Sequence, residues 1–328
     1  MNREHVRAKV KGCLLGGLIG DAMGAPVEGW HYERIEQEKG HVDDFTGAGT
    51  DDSAIKLILC EALLKTGGHA TMDDFADAFL NNEQFYNLFY IPVKNMFHKL
   101  RELDDLPIHA GINNMASSSS AMSISPMGLV NLCDPRTAAS EAYEVAGLIH
   151  SHATSFCRDG ASAVAAAVAE AARPGATPDT IVAAGTRYLH PHSASLMIGL
   201  IEAAVALAKQ SGDYKTFRRA FYETSLRDII SDSRETIPIV FALLWLTQCE
   251  PKAAIEAAAN FGRDADTLAT MVGAIVGAYR GDAGLPAAWV DKVLHENEAQ
   301  EQLIENMTDL VLARYAEKQA LLAVLAQV

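Results

Sequence analysis

Runs of helical periodicity follow one another along the whole chain, and the alternating pattern of a β-strand is almost absent. In each run, apolar residues recur three and four positions apart, as on one face of a helix. Glycine and proline breakers separate the runs. The predicted helices cover residues 6–23, 52–64, 72–79, 138–150, 160–172, 178–188, 195–210, 214–226, 238–247, 251–259, 267–279 and 301–326. The pattern therefore predicts a single compact all-α domain, residues 1–328, of about a dozen helices.

The composition supports a helical fold and argues against one class of partner. Hydrophobic residues make up 49% of the 328 residues, and aromatic residues only 7%. Alanine is abundant, which favours closely packed helices over a β-sandwich. The formal net charge is −15 and no Lys/Arg-rich block occurs, so the chain lacks the basic face that nucleic-acid phosphates require. We therefore expect no nucleic-acid partner.

Cysteine usage and the N-terminal residues bear on the cellular compartment. The chain contains five cysteines, an odd number, without a Cys-x-x-Cys spacing. This pattern predicts buried free thiols in a reducing compartment. The first residues do not follow the plan of a signal peptide, and no uncharged apolar run is long enough to span a membrane. We expect a cytoplasmic protein without membrane association, whose oligomeric state the sequence leaves open.

Two short acidic clusters lie far apart in the chain. They are Thr50-Asp51-Asp52 and Asp264-Ala265-Asp266-Thr267. Each follows a glycine-bearing stretch and begins an apolar run with helical periodicity. Carboxylate and hydroxyl oxygens are ligands that suit Mg²⁺ or Mn²⁺, so the clusters would form a two-metal site if the fold brings them together. Asp and Thr are also favoured N-caps of helices, and on the residues alone both interpretations stay open.

Glycines recur at helical spacing near both clusters. Gly16, Gly20 and Gly24 are four residues apart, as are Gly273 and Gly277. A glycine weakens a helix by about 1 kcal/mol relative to alanine. A close backbone approach between the two helices would compensate for this loss, and an ordinary helix crossing is also compatible with the spacing.

Three motifs together resemble a known family. The first is Gly20-Asp21-Ala22-Met23-Gly24, with Glu28 four residues further on. The second is Gly49-Thr50-Asp51-Asp52-Ser53-Ala54, and the third is Gly262-Arg263-Asp264-Ala265-Asp266-Thr267-Leu268-Ala269. In this order and at these separations, the motifs are similar to those of the ADP-ribosylglycohydrolase family, which includes the dinitrogenase reductase-activating glycohydrolases. The resemblance spans nearly the whole chain.

The resemblance implies an all-α orthogonal bundle with two Mg²⁺ ions in a central cleft, and Mn²⁺ is an alternative. It implies that Thr50, Asp51 and Asp52 hold one side of the binuclear centre. Its other side would be held by Asp264, Asp266 and Thr267. Glu28 matches a glutamate that gates the cleft and contacts a metal or its water in some members. Such enzymes release ADP-ribose from a modified protein side chain, and Glu28, Asp51, Asp52 and Asp266 would be the catalytic carboxylates.

The middle of the chain departs from the family pattern where many members carry Asn-Gly-x-x-Met-Arg-x-x-Pro-x-Gly. The corresponding segment here contains Ser119, Ser120 and Met122, and lacks both the Asn-Gly pair and the arginine. Serine hydroxyls can still donate hydrogen bonds to phosphate or sugar oxygens. His152 lies where the family often has a Thr-His pair beside the nucleotide. Arg263 replaces a residue that is commonly glycine, and it either meets a substrate anion or neutralises the acidic cluster.

These observations predict a Mg²⁺-dependent hydrolase of a ribosyl glycosidic bond, by default one that removes ADP-ribose from a modified side chain such as arginine. The missing Asn-Gly pair and arginine motivate an alternative, the hydrolysis of a small free riboside or nucleoside-like compound. A third alternative is an inactive crystallin-like binding or structural protein. The linkage, the anomer and the identity of the base stay open. Asp21 is predicted to be structural.

Overall fold

The computed structural model describes residues 2–297 and 299–328. Within these ranges the chain forms seventeen α-helices, five one-turn 3-10 helices and no β-strand. The α-helices are Arg3–Gly24 (α1), Tyr32–Glu38 (α2), Asp51–Lys65 (α3), Met72–Asn81 (α4), Ile91–Glu102 (α5), Pro107–Ala110 (α6), Ser125–Val130 (α7), Pro135–Val145 (α8), Phe156–Ala171 (α9), Pro178–Arg187 (α10), Ser195–Ser211 (α11), Tyr214–Thr224 (α12), Ser233–Leu246 (α13), Pro251–Ala259 (α14), Ala265–Arg280 (α15), Ala287–Glu296 (α16) and Gln300–Leu325 (α17). The all-α prediction is confirmed.

Five helices, α2, α5, α6, α7 and α16, were not predicted. Four of these begin beside a proline: α5, α6 and α7 carry one in their first two positions, and Pro286 is the N-cap of α16. Proline breaks the interior of a helix but suits its first turn, because the N–H that it lacks has no partner there. Helices were predicted to begin at Pro178 and Pro251 in the same way, but the prolines at these four other helix starts were not recognised as start signals.

Three predicted helices differ from the structure by four or more residues at one end. The helix predicted over 160–172 begins too late, because α9 starts at Phe156. The helix predicted over 138–150 ends too late, because α8 ends at Val145 and the chain tightens into the 3-10 helix Ala146–Leu148. The helix predicted from Pro238 starts too late, because α13 begins at Ser233, after Asp232 as its N-cap. Pro238 lies inside α13. The helix has already completed its first turn, which begins after the N-cap Asp232, before it reaches Pro238.

Helices α1 and α15 pack against each other along their length through glycines. A Cβ added at Gly16 would collide with the carbonyl oxygen of Gly273. A Cβ added at Gly277 would likewise collide with the carbonyl oxygen of Gly12. The predicted close backbone approach is confirmed, and it forms the centre of a core in which nearly every residue of α15 is buried.

This packing brings the end of α1 beside the starts of α3 and α15. A Cβ at Gly24 would overlap the backbone nitrogen of Asp266. One turn earlier on α1, the buried carboxylate of Asp21 accepts hydrogen bonds from the N–H of Thr50 at 2.9 and 3.0 Å, and from the N–H of Ser53 at 3.0 Å. The structural role predicted for Asp21 is confirmed, because its carboxylate holds the first turn of α3 against α1.

The prediction that all five cysteines are buried thiols is wrong at one position. Cys13, Cys60, Cys157 and Cys249 are buried and free, whereas Cys133 is free but exposed. Cys133 lies in the turn between α7 and α8, where it has a positive φ of 66°. No helix among the described residues combines the length and the apolar character needed to cross a bilayer. The single domain over residues 1–328 stays a prediction.

Candidate active site

The first acidic cluster forms the start of α3. Thr50 is the N-cap, and its Oγ1 accepts a hydrogen bond from the N–H of Asp52 at 3.3 Å. Asp51 and Asp52 lie in the first turn, where the helix dipole favours negative charge. The N–H of Tyr90 donates to Asp51 Oδ2 at 3.0 Å. Capping and ligand presentation are therefore compatible, because Thr50 caps the helix while both aspartates stay available.

The second acidic cluster forms the start of α15. Asp264 precedes the first helical residue, and no hydrogen bond from its side chain caps the helix. Its Oδ2 instead accepts a hydrogen bond from the hydroxyl of Ser118 at 3.0 Å. Asp266 and Thr267 follow in the first turn, and all three side chains are buried. The Asp264 carboxylate thus bonds to the serine segment and does not cap its own helix.

The fold brings the two clusters together around one cavity. The hydroxyl of Thr267 donates to Asp52 Oδ2 at 3.4 Å, which joins the start of α15 to that of α3. Carboxylate oxygens of Glu28, Asp264 and Asp266 lie within 4.8 Å of one another. The cavity measures about 200 Å³, and its lining residues are Glu28, Asp51, Asp52, Leu88, Phe89, Tyr90, Ser118, Ser119, Met122, Ile230, Ser231, Asp264, Asp266 and Thr267. We call this cavity the acidic cleft.

Burial and mutual repulsion raise the pKa values of the carboxyl groups in the acidic cleft. Burial raises the pKa of Asp51 to about 6 and that of Asp264 to about 7. The pKa values of Asp52 and Asp266 lie well above their ordinary range, first because of burial and then because of neighbouring carboxylates. Burial, and then the charge of Asp21, raises the pKa of Glu28. Such a concentration of buried carboxylates is costly without a cation.

The donor atoms of the acidic cleft fit a divalent cation. Asp52 Oδ1 and Asp266 Oδ1 are buried and have no hydrogen-bond partner, although buried polar atoms in proteins are nearly always paired. All the candidate donors are carboxylate or hydroxyl oxygens, the set that hard cations such as Mg²⁺ and Mn²⁺ prefer. A bound cation would supply the partner that these two oxygens lack.

The residues predicted to contact substrate do not all reach the acidic cleft. Ser119 and Met122 line it. Ser120 does not, because its hydroxyl is hydrogen-bonded to His150 Nδ1 at 2.9 Å. His152 is exposed and lies outside the lining, at the start of a 3-10 helix. Within the described residues, the structure therefore brings only part of the predicted substrate set to the cleft.

Arg263 also points away from the acidic cleft. Its Nε donates to Glu235 Oε1 at 2.7 Å, and one Nη donates to Glu235 Oε2 at 2.9 Å. The guanidinium is not among the groups that line the cleft. The charge that Arg263 neutralises is therefore that of Glu235, a partner that neither of the predicted roles included.

A buried histidine organises the serine segment that borders the cleft. The hydroxyl of Ser117 donates to Ser119 Oγ at 2.9 Å and lies 3.1 Å from His150 Nε2. Since the Ser117 oxygen then accepts from Nε2–H, His150 Nδ1 accepts from the hydroxyl of Ser120. The hydrogen on Ser119 Oγ stays available for a ligand. Residues 117–120 are buried and non-helical, so they form a packed loop.

The burial of His150 predicts an acid-sensitive loss of stability. Burial lowers the pKa of His150 to about 4, and the backbone of Met115 opposes this only in part. Between this pKa and the unfolded value of about 6.5, the unfolded state binds the extra proton. The contribution of neutral, buried His150 to the free energy of unfolding is therefore complete above about pH 6.5. It is lost as the pH falls from about 6.5 to about 4, by about 3 kcal/mol in all.

His150→Gln is expected to remove this part of the slope of unfolding free energy against pH. Urea unfolding of both proteins between pH 7 and pH 4.5 checks this. The exposed His98, on α5, supplies a matched control, and His98→Gln should leave the slope as in the wild type. Parallel slopes for His150→Gln and the wild type would show that His150 titrates normally in the folded protein.

Some residues of the site carried no readable signal in the sequence. The backbone N–H of Tyr90 and the hydroxyl of Ser118 bind the aspartates, but neither belongs to a recognisable motif. Lys56 is buried one turn after Asp52 and donates to Thr270 Oγ1 at 2.9 Å. The signal in the sequence that could have revealed Lys56 was its position within the apolar run of α3. A lysine buried in such a run needs a nearby negative charge.

Comparisons with known proteins agree with the geometry. Residues 2–320 match the ADP-ribosylglycohydrolase family. The uncharacterized protein YegU of Escherichia coli K12 is 26% identical over 94% of this chain and 98% of its own length. The ADP-ribosylarginine hydrolase Tri1 of Pseudomonas putida GB-1 is 24% identical over 90% of this chain and 77% of its own length.

A solved structure shares the fold. The chain of an ADP-ribosylglycohydrolase-related protein complex superposes with a TM-score of 0.66 at 22% identity, and the match covers 95% of this chain and 99% of that one. The family match covers nearly the entire sequence and includes both acidic clusters and Glu28. The chain therefore belongs to the ADP-ribosylglycohydrolase family and is a glycosyl hydrolase.

Proposed function

We propose that this protein is a Mg²⁺-dependent hydrolase that releases ADP-ribose from a modified protein side chain such as arginine. The observation that carries the proposal is the convergence of both acidic clusters and Glu28 on one cavity. Two relatives, from Pseudomonas putida and Serratia proteamaculans, are named ADP-ribosylarginine hydrolases, which supports the choice of arginine. Mn²⁺ suits the same oxygen donors and is the alternative ion.

The carboxylates of the acidic cleft would hold two ions between α3 and α15. Asp51 and Asp52 would bind from α3, and Asp264, Asp266 and Thr267 from α15. Thr50 contributes as the N-cap that orients the two aspartates after it. When bound, such ions would supply positive charge for binding ribose hydroxyls and for activating a water. The unpaired Asp52 Oδ1 and Asp266 Oδ1 are the oxygens for which this assignment accounts most directly.

The remaining chemistry falls to groups at the edge of the cleft. Hydrolysis of a glycosidic bond passes through an oxocarbenium-like state, whose positive charge carboxylates at this site would stabilise. Glu28 lies at the exposed side of the cluster, where it can take a proton from the attacking water. The hydroxyl of Ser119 and the side chain of Met122 line the cleft and would border the sugar. Ser119 would donate to a sugar or phosphate oxygen.

The size of the cavity favours a second candidate, a small riboside. The acidic cleft measures about 200 Å³, below the roughly 300–1,000 Å³ of most ligand pockets. It can enclose a ribose, whereas a diphosphate and an adenine must lie outside it. The absence of the Asn-Gly pair and arginine from the serine segment points the same way.

One comparison of substrates separates the two candidates. Release of ADP-ribose from arginine-modified protein is measured beside sugar release from small N- and O-ribosides, each with Mg²⁺. We expect turnover of the modified protein to be the faster. Activity on the small ribosides alone would reject the ADP-ribosyl substrate and establish the second candidate.

The mouth of the acidic cleft offers apolar contacts to a protein substrate. Leu88 and Tyr90 line the cleft, and the adjoining Ile91 is 53% exposed at the first position of α5. Ile91→Glu should lower kcat/KM for ADP-ribosylated protein about fivefold, equivalent to about 1 kcal/mol of lost contact. The free compound ADP-ribosylarginine should react as before, because Ile91 lies outside the lining.

Leu321 on α17 supplies the control for this test. It is 59% exposed and does not line the cleft, so Leu321→Glu should change neither reaction. If Ile91→Glu slowed both substrates equally, the substitution would be acting on the cleft itself and not on protein recognition.

We also propose a cytoplasmic location. All five cysteines are free thiols, including the exposed Cys133. Disulfides are rare in reducing compartments and common in oxidising ones, so unpaired cysteines favour the cytoplasm.

A further inference from the structure

The turn that precedes the second acidic cluster has an unusual backbone. Gly262 and Arg263 both have positive φ, of 76° and 59°, immediately before Asp264. Glycine adopts this left-handed conformation freely, whereas a residue with a Cβ does so rarely and at a cost. Arg263 is therefore strained where it stands, and interactions elsewhere must hold it there.

The backbone of Arg263 joins the turn to the segment that carries Glu28. The N–H of Arg263 donates to the carbonyl of Trp30 at 2.9 Å, and its carbonyl accepts from the N–H of Gly29 at 2.7 Å. Residues 28–30 and 262–264 are thereby held side by side. This pairing sets Glu28 beside Asp264 and Asp266, whose carboxylate oxygens converge within 4.8 Å.

The side chain of Arg263 provides the interaction that holds the strained turn. Its guanidinium forms a two-pronged ion pair with Glu235, at 2.7 and 2.9 Å, and also donates to the carbonyl of Arg227. Glu235 is fully buried on α13 and accepts a further hydrogen bond from the N–H of Arg227 at 2.6 Å. Two-pronged pairs of this kind are strong and fix geometry.

We infer that Arg263 is a positioning residue whose ion pair with Glu235 holds the 262–264 turn, and through it the carboxylates of Glu28 and Asp264, in the arrangement that binds a divalent ion. The inference rests on the metal centre of the proposed function. In this role Arg263 supports the metal centre through the 262–264 turn and does not contact the substrate.

In the test, the full-length protein is titrated with Mn²⁺, and calorimetry measures the binding affinity. Glu235→Gln removes the charge of the pair but leaves the strained arginine, and should weaken Mn²⁺ binding at least about tenfold, the low end for loss of a supporting contact. Adding Arg263→Gly should restore the affinity to within about threefold of wild type, because glycine adopts the turn without strain. A general loss of structure would not be rescued by a second substitution.

A second pair of variants gives the same comparison with Glu235 intact. Arg263→Ala keeps a Cβ in the strained turn, whereas Arg263→Gly does not. Arg263→Gly should therefore bind Mn²⁺ at least about tenfold more tightly than Arg263→Ala. Equal affinities of these two variants, or of Glu235→Gln and the double variant, would overturn the inference. Absence of Mn²⁺ binding by the wild type would overturn the proposed metal centre, and the inference with it.

Discussion

Asp266→Asn is expected to abolish tight Mn²⁺ binding and hydrolysis together. Asp266 is buried at the start of α15 and lines the acidic cleft, and its Oδ1 has no hydrogen-bond partner. Loss of a supporting contact to a metal ligand costs about 10- to 100-fold in affinity, and loss of the ligand itself should exceed about 100-fold. Calorimetry with Mn²⁺ and an assay of ADP-ribose release measure both effects.

The same substitution should stabilise the protein in the absence of divalent ions. Burial and neighbouring carboxylates raise the pKa of Asp266, so its charged form opposes folding at neutral pH. Asparagine has the same shape without the charge. The unfolding midpoint of Asp266→Asn in EDTA should therefore lie above that of wild type, although its affinity for metal is lost. A variant that was merely misfolded would show both a lower midpoint and lower affinity.

Asp159→Asn is the matched control for this prediction. Asp159 is buried in the first turn of α9, and burial raises its pKa to about 6, yet it lies outside the acidic cleft. Its replacement should leave Mn²⁺ affinity and hydrolysis unchanged. If Asp266→Asn bound Mn²⁺ as tightly as Asp159→Asn, Asp266 would not be a ligand.

Gly277→Ala is expected to destabilise the fold by about 3 kcal/mol or more, the upper range for overpacking a core. The added methyl group would collide with the carbonyl oxygen of Gly12 on α1, and neither backbone can move without displacing the other helix. Because α1 and α15 also position Asp21 and Asp266, metal binding should weaken as well. Urea unfolding gives the free energy.

Gly199→Ala isolates the packing effect from the change in helix propensity. Gly199 lies within α11, and an added Cβ there would meet no atom within 4 Å. This variant should be more stable than wild type by up to about 1 kcal/mol, because alanine is the better helix former. Equal effects at Gly199 and Gly277 would mean that α1 and α15 do not pack as closely as described.

Residue patterns correctly predicted the features that depend on residues close together in the sequence. The apolar spacing of α3, α11 and α15 located these helices within two residues, because one buried face recurs at helical spacing. The acidic clusters were recognised because each combines carboxylates with a helix start. The glycine spacing on α1 and α15 also reported a real contact, since only glycine permits it.

Features that depend on distant partners were not predictable in the same way. Arg263 was expected near the substrate or the acidic cluster, but its partner Glu235 lies on α13, and no local pattern links the two. Ser120 bonds to His150, so of the two serines predicted beside the substrate only Ser119 lines the cleft. The hydrogen-bond partner of a buried polar side chain depends on which groups the packed helices place beside it. The local sequence does not contain this information.

Anomalous scattering from crystals grown with Mn²⁺ and ADP-ribose tests directly whether the acidic cleft holds a binuclear centre. We expect two peaks in the acidic cleft, roughly 3.5–4 Å apart, between the aspartates of α3 and those of α15. A cleft without a peak, or peaks found only outside it in crystals soaked to saturation, would contradict the binuclear centre.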